Sequence, residues 1–444
     1  MTAAFRVPSM RASDQAAVVS STRPGRGLCD RIADIARPAL ISGTQRLSGR
    51  ARATLSLVVA IGLVGCGTIS RAPITAGEVA VSAYTVELDR YRFPSVDQGP
   101  FFVWLDRWAA ERRALGLDGV KGLALSGGGA SGAFGAGVLV GWTRHGDRPR
   151  FDIVTGVSTG ALAAPLAFAG PRFDDRLENA YQDRDLRALT SDRLGVLRNP
   201  SLYPAGPLKR LVERYVTDDL LEAVADEHAA GRRLLVATTN LDTRASVIWD
   251  LGAIATDAMH PAQHPEAKAL FRDVLVASAS IPGVFPPVMM SADPSGRIAE
   301  MHVDGGVTAP FFLVPETLNF WRPRGPMRPT ELYLIINGQT GSEYSATRGT
   351  SVAIIERTLD TLGRADARSQ LRFVAAFASR NGASVGYAAI PDGVDANPLM
   401  FDVRHTASLF ALGRDRAMAG EAFAEPGVLE WLAVDGAAAD RRPR

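Results

Sequence analysis

The chain has 444 residues, of which 46% are hydrophobic and 22% charged, with a formal net charge of +2. Length and composition indicate a globular protein of one large or two ordinary domains and exclude a disordered or collagen-like chain. The positive excess sits in the first 65 residues, which hold nine arginines, three aspartates and no lysine, so the remainder is net acidic and offers no global electrostatic case for nucleic acid. The two cysteines, Cys29 and Cys66, lack metal-ligand spacing, and the chain from Gly67 onward has neither a disulfide framework nor a cysteine nucleophile.

In chain order, Arg50 and Arg52 precede an apolar stretch, Leu55 to Gly65, that ends Leu63-Val64-Gly65-Cys66. A positive start, a short apolar run and small residues before a cut describe a secretory signal. About a dozen apolar residues fall short of the roughly 20 that a membrane span needs. The Leu-Val-Gly-Cys ending resembles the lipobox of bacterial lipoproteins, which implies that Cys66 becomes lipid-modified and the new N-terminus. With Gly67 rather than an aspartate after it, the resemblance favours the outer membrane and a lipid-anchored protein of the cell envelope, periplasmic or surface-facing. About fifty residues stand ahead of the apolar run, more than the roughly 15–30 of a whole signal. The expected translation start therefore lies downstream, near Leu47.

Residues 67–100 read as a tether and an irregular lead-in. Apolar residues at helical spacing, Phe101, Leu105, Trp108 and Ala109, predict an amphipathic helix from Phe101 to Leu115 that packs on the domain. An α/β rhythm follows. Strands are expected at Val120–Leu125, Phe151–Thr155, Arg233–Thr239, Ser246–Leu251, Arg297–Val303 and Glu331–Asn337. Helices are expected at Ala130–Trp142, Thr159–Phe168 and Ala267–Ser280, with a mostly helical stretch over 174–230. A long helical region near 350–379, a strand near 384–391 and a helix near 406–421 follow. Such alternation predicts a mainly parallel sheet covered by helices on both faces.

Two small-residue turns carry the chemistry. Gly156-Val157-Ser158-Thr159-Gly160 fits the G-x-S-x-G nucleophile elbow, where a strand turns sharply into a helix and leaves its serine exposed. The glycines at Gly156 and Gly160 are needed because side chains there would meet neighbouring backbone. One strand earlier, Ser126 to Gly132 forms a glycine turn at a helix start, able to aim backbone N–H groups of Gly127, Gly128 and Gly129 at a developing oxyanion. That turn also satisfies G-x-G-x-x-G through Gly127, Gly129 and Gly132, the dinucleotide fingerprint. The fingerprint needs an acidic residue at the end of the second strand. Asp147 and Asp152 come too early, and the elbow occupies that place. No G-K-[ST] follows, so a nucleotide-hydrolase phosphate loop is absent too.

A serine needs a base. None of the six histidines, His145, His228, His260, His264, His302 and His405, sits in a motif, although His302 lies two residues before Asp304. Asp304 precedes two glycines that let backbone bend closely around a site, and burial can raise a carboxylate into the range of a useful base. Taken alone, Asp-Gly-Gly is equally a plain turn.

The glycine loop, the Gly-Val-Ser-Thr-Gly elbow and the late Asp304-Gly305-Gly306, in that order, resemble the patatin-like phospholipase family. The run Ala277-Ser278-Ala279-Ser280-Ile281-Pro282 through Phe285-Pro286-Pro287 resembles the family's segment upstream of its aspartate, so the likeness spans roughly residues 119–310. It implies a three-layer patatin-like α/β fold and a Ser–Asp dyad without histidine, here Ser158 and Asp304. It also implies an oxyanion loop at Gly127–Gly129 and lipid acyl ester hydrolysis through an acyl-serine, with no metal and no cofactor. The implied partners are a phospholipid or other acyl-ester substrate and, through Cys66, a membrane surface. An acyltransferase on the same site and a non-catalytic lipid-binding lipoprotein are the alternatives. One departure is Ser131, where many members carry Arg or Lys. The resulting domain reading is 1–65 signal and upstream extension, 66–118 tether and lead-in helix, and 119–320 catalytic domain. Residues 321–444 are expected as a C-terminal α/β extension packed on the core, either set off by the Pro- and Arg-rich Trp321–Pro329 or joined by it as a long loop.

Overall fold

A computed structural model describes residues 88–95, 99–182, 184–190, 201–261, 263–291, 299–312, 330–341, 344 and 346–424, with the isolated positions 69, 71, 75 and 77. All belong to the unit Ile69–Arg444. The expected signal, the start near Leu47, Cys66 and the Trp321–Pro329 stretch lie outside them. Among the described residues no helix is long and apolar enough to cross a membrane.

In order, the elements are β1 (Arg92–Pro94), α1 (Gly99–Ala114), β2 (Val120–Leu125), α2 (Gly132–His145), β3 (Ile153–Val157), α3 (Thr159–Ala169) and α4 (Asp174–Gln182). Then come α5 (Ala205–Tyr215), α6 (Asp218–Ala229), β4 (Arg233–Asn240), β5 (Ala245–Asp250), α7 (Leu251–Ala258), α8 (His264–Ser278), β6 (Val288–Ser291) and β7 (Ala299–Asp304). The last four are β8 (Thr330–Ile336), α9 (Ser351–Asn381), β9 (Ser384–Ala389) and α10 (Val403–Met418).

The sheet runs β1-β5-β4-β3-β2-β8-β9, and β7 pairs with the far end of β4 and with β6. Pairings β4-β3, β3-β2, β2-β8 and β8-β9 are parallel, whereas β1, β5, β6 and β7 join antiparallel. This is the mixed, mostly parallel sheet of a patatin-like α/β fold. The chain leaves β2 for β3 on one side and later returns to β8 on the other. The crevice at the carboxyl end of β2 is therefore a topological switch point, where open α/β sheets bind ligands.

Residues alternate between the two faces of the central strands, as strand geometry requires. Leu123, Leu125, Val154, Leu234 and Val236 join one apolar core with most of the helices. Ala124, Ile153, Leu235 and Leu332 join a second core with Phe101, Leu105 and Trp108 of α1 and Leu371 and Val374 of α9. Helices α2 and α10 touch backbone to backbone: a Cβ on Gly137 would lie 2.0 Å from the Phe410 carbonyl, and one on Gly413 would lie 2.2 Å from that of Phe134. The C-terminal residues thus extend the same sheet and cover its face.

Four expectations shift, the first being β1, a strand inside the expected irregular lead-in that forms by pairing with β5. Helix α7 is not anticipated, because the expected strand runs to Leu251 and no element is expected between it and Ala267. Asp250 is the helix cap, its carboxylate accepting from the Ala253 N–H at 3.0 Å. Strand β6 was absent from the sequence reading, since its four residues form only by pairing with β7. Strand β3 lies two residues later than expected, running directly into the elbow.

Candidate active site

Both small-residue turns and the end of β8 lie at the carboxyl end of the parallel strands. Ser158 joins β3 to α3 with φ 56° and ψ −125°, one of only two non-glycine residues with positive φ among the described residues. Such a conformation costs on the order of 1–3 kcal/mol and persists where the surroundings enforce it. Here they do. A Cβ on Gly156 would lie 2.6 Å from the Gly160 carbonyl oxygen, and one on Gly160 would lie 2.3 Å from that of Leu125. The Ser158 N–H donates to Ser278 Oγ at 3.0 Å, and Ser278 Oγ–H donates to the Ala237 carbonyl at 2.7 Å.

Asp304 ends β7, opposite Thr238 of β4. The Ser158 hydroxyl donates to Asp304 Oδ2 at 2.6 Å, and the Gly306 N–H donates to Oδ1 at 2.7 Å, which fixes the carboxyl's orientation. Burial pushes this carboxyl up to about 7, with the Ser158 and Gly306 hydrogen bonds pulling the other way. Both residues are about 4% exposed. The Ala277–Pro282 run ties the pair together, because the Ser280 carbonyl accepts the Asp304 N–H at 3.0 Å while Ser278 holds the Ser158 N–H.

His302 is elsewhere. Its Nε2 lies 3.0 Å from Glu300 Oε2 and its Nδ1 lies 2.9 Å from Thr238 Oγ1. The ionised Glu300 can only accept, so Nε2 carries the ring proton toward it and Nδ1 of the neutral ring accepts from the Thr238 hydroxyl, which itself accepts the Trp249 indole N–H at 2.8 Å. Burial lowers the His302 pKa, leaving it neutral. Glu300 also receives Arg92 Nη1 at 2.6 Å. With both ring nitrogens engaged in this network, His302 makes no bond to Ser158 or Asp304. The shared strand put it on the same side in sequence terms, but the network claims it.

The three loop glycines divide. The Gly127 N–H donates to the Pro310 carbonyl at 2.9 Å and is spent. No acceptor among the described residues takes the N–H of Gly128 or Gly129. The expected oxyanion trio is thus corrected to a pair of available donors, because the segment after Asp304 folds back over the loop. Gly128 has φ 152°, and a Cβ there would lie 2.1 Å from the Asn337 carbonyl oxygen. The N-terminal ends of α2 and α3 both face this region and favour negative charge there.

Sequence reasoning missed what shapes the loop. Asn337, directly after β8, donates its backbone N–H to Ser126 Oγ at 2.7 Å and its side-chain amide to the Ser126 carbonyl at 2.8 Å. Its Oδ1 accepts the Gly135 N–H at 2.9 Å. From the C-terminal region, the Pro398 carbonyl takes the Ala130 N–H at 2.8 Å and the Ala396 carbonyl takes the Ser131 hydroxyl at 3.1 Å. Ser131 is fully buried, facing that brace. The only available signal was the position of Asn337 at the same strand end as both turns. Ser278 lies in the Ala277–Pro282 run, with no role legible from the sequence. Asp152, too early in the chain for a ribose ligand, sits at the opposite end of β3, bonded to Arg112 and to the Lys121 N–H.

Residues 123–315 match the family described as patatin-like phospholipase. No curated protein matches the chain. Among solved structures, a crystal structure of VipD from Legionella pneumophila is similar at 14% identity, over 68% of this chain and 67% of that one, with a TM-score of 0.33. A likeness that distant carries no argument about the site.

Proposed function

Because the chain carries a patatin-like phospholipase domain over residues 123–315, we propose that it is a serine lipid acyl hydrolase of the phospholipase A, lysophospholipase or esterase type. Ser158 is its nucleophile and Asp304 its base. The observation that carries this reading is the 2.6 Å contact from the Ser158 hydroxyl to a buried carboxyl whose pKa stands near 7. An ionised carboxylate of that basicity accepts the Ser158 proton as Oγ attacks the ester carbonyl. The negative charge that forms on the carbonyl oxygen meets the Gly128 and Gly129 N–H groups. As the tetrahedral species collapses, Asp304 returns the proton to the leaving alcohol oxygen and the acyl group stays on Ser158. Water then repeats the sequence, giving its proton to Asp304, and the fatty acid leaves with Ser158 restored. Each step is proton transfer or acyl transfer and draws on no metal or organic cofactor.

The test is a fluorophosphonate probe and a panel of phospholipids, lysophospholipids and simple esters. Ser158→Ala is expected to abolish both labelling and hydrolysis. Full esterase activity in that variant would remove the assignment. We also propose that Cys66 is the lipidated N-terminus, anchoring the enzyme in the cell envelope and confining it to a surface rich in acyl esters. Cys66→Ala is expected to move the protein from the membrane fraction to the soluble one and to block incorporation of labelled palmitate.

A further inference from the structure

Ahead of β1, Arg71 fastens the chain to the catalytic end of the sheet. Its Nη1 donates to Asp242 Oδ1 at 2.5 Å, and its Nη2 donates to Asp242 Oδ2 at 2.7 Å and to the Ala299 carbonyl at 2.6 Å. A two-pronged arginine–carboxylate pair fixes direction as well as distance. The receiving side is itself held. Asp242 Oδ2 accepts the Met301 N–H at 3.0 Å, and Asn240 Oδ1 accepts the N–H groups of Asp242 at 2.9 Å and Thr243 at 3.3 Å. Asp242 lies in the turn between β4 and β5. Strand β4 runs parallel to β3, which ends at the nucleophile elbow, and Thr238 of β4 stands opposite Asp304. Asn240 ends β4 two residues further on, so the turn begins roughly 7 Å beyond Asp304 along the strand direction.

Arg71 is five residues after Cys66, and five extended residues reach at most about 18 Å. Were the chain fixed only from buried Leu88 onward, the tether would hold 22 residues and reach about 75 Å, which lets either end of the sheet face a bilayer. That entry is also near the other end of β4, since the Tyr91 carbonyl accepts the N–H of Asp250, which stands opposite Leu235. Exposed apolar residues stand on three segments at the catalytic end. Leu241 is next to Asp242, Val307 follows the Asp304 turn, and Leu399 and Met400 follow Pro398, whose carbonyl braces the glycine loop. The headgroup–acyl boundary of a bilayer accommodates such side chains better than water does. We propose that the Arg71–Asp242 clasp turns the catalytic end of the sheet toward the bilayer that holds the Cys66 acyl chains, with these four residues as its contact surface. The inference rests on Cys66 as the lipidated N-terminus and goes beyond it. An anchor alone keeps the enzyme near the membrane, whereas a short tether clasped beside the dyad points Ser158 at it and raises its effective concentration toward membrane esters.

The experiment uses the full lipidated chain in vesicles of phosphatidylethanolamine and phosphatidylglycerol. A mature chain acylated at Cys66 has no other cysteine, so Leu399→Cys or Leu117→Cys takes a single fluorescent label. Leu117 is exposed just ahead of β2, at the amino end of the sheet. Nitroxide-bearing lipids are expected to quench the label at position 399 at least fivefold more than the label at 117. Arg71→Ala is expected to remove that contrast and to lower hydrolysis of vesicle phospholipid at least fivefold, with hydrolysis of p-nitrophenyl butyrate in detergent unchanged. An insertion of about ten Gly and Ser residues between Ile69 and Ser70, ahead of the clasp, is expected to act like Arg71→Ala. The same insertion between Gly77 and Glu78, beyond the clasp, is expected to change neither readout. Equal quenching at both positions, stronger quenching at 117, or a contrast that survives both Arg71→Ala and the upstream insertion overturns the proposal. Mass spectrometry of the same preparation reads the anchor separately. An unacylated Cys66 sinks the lipoprotein reading and the proposal with it, whereas an acylated Cys66 with equal quenching sinks the orientation alone. Quenching needs no turnover, so loss of the Ser158 assignment would leave it standing.

Discussion

Asp304→Asn keeps the shape of the side chain and its acceptance of the Gly306 N–H but removes the charge. The carboxyl's pKa rises from 3.8 to about 7 on folding because burial disfavours the ion. A group whose folded pKa is raised contributes its full stability below the unfolded pKa and loses it as the pH climbs through the folded one. Ionised Asp304 therefore burdens the fold above pH 7 by about 4 kcal/mol, three pH units at 1.36 kcal/mol each. At pH 5 the burden falls to less than half of that, and below the unfolded pKa it vanishes. Asparagine never titrates. The variant is expected to be more stable than the parent by roughly these amounts, as functional sites commonly trade stability for activity, while losing roughly 10²–10⁴-fold in kcat. Urea unfolding at pH 5 and pH 8, beside ester hydrolysis from pH 5 to 9, measures both. In the parent enzyme, kcat/KM is expected to rise tenfold per pH unit up to about 7 and to lie about a hundredfold below its plateau at pH 5. A variant no more stable than the parent at pH 8, an advantage that does not change with pH, or an acid limb near 4 would refute the reasoning.

His302→Asn is expected to leave the acid limb of the pH profile in place, because the imidazole does not touch the dyad. It is also expected to lower stability by about 1–3 kcal/mol, because Glu300 and Thr238 each lose one buried hydrogen-bond partner while Arg92 and Trp249 keep the other; denaturant melts and pH–rate curves check both. Ser278→Ala removes the acceptor of the Ser158 N–H and is expected to lower kcat about 10- to 100-fold with little change in KM, since the strained elbow loses a restraint. Restoration by Ser278→Thr would separate this from a general packing defect. Gly128→Ala drives a methyl into the Asn337 carbonyl at 2.1 Å. It is expected to abolish hydrolysis while leaving a folded protein by circular dichroism, because the strain falls on the loop.

Much of the site was legible in the sequence, since its glycines answer to steric rules that act within a few residues. A serine between Gly156 and Gly160, after an apolar strand and before a small-residue helix, points to an elbow without knowledge of the rest. The glycine turn one strand earlier required only proximity in a parallel sheet. The alternation of apolar runs likewise sufficed for the α/β layering. Less legible were β6 and α7: one exists through its pairing with β7, the other through a capping carboxylate, Asp250, at the end of β5.

What the sequence by itself determined was which residue types could do acyl chemistry and where local backbone had to turn. Tertiary structure decided which of them meet. Ser158 and Asp304 are 146 residues apart in the chain and 2.6 Å apart at their oxygens because β7 pairs with the far end of β4, beside β3. The same pairing carries His302 into a buried network with Glu300, Thr238 and Trp249, where it can serve no serine. Folding back of Pro310 over the glycine loop removed Gly127 as a donor, and the approach of Asn337 and residues 396–398 set the loop's shape without a basic side chain at Ser131. Desolvation then makes the Asp304 carboxyl basic, a property of its surroundings that no neighbouring residue in the sequence encodes.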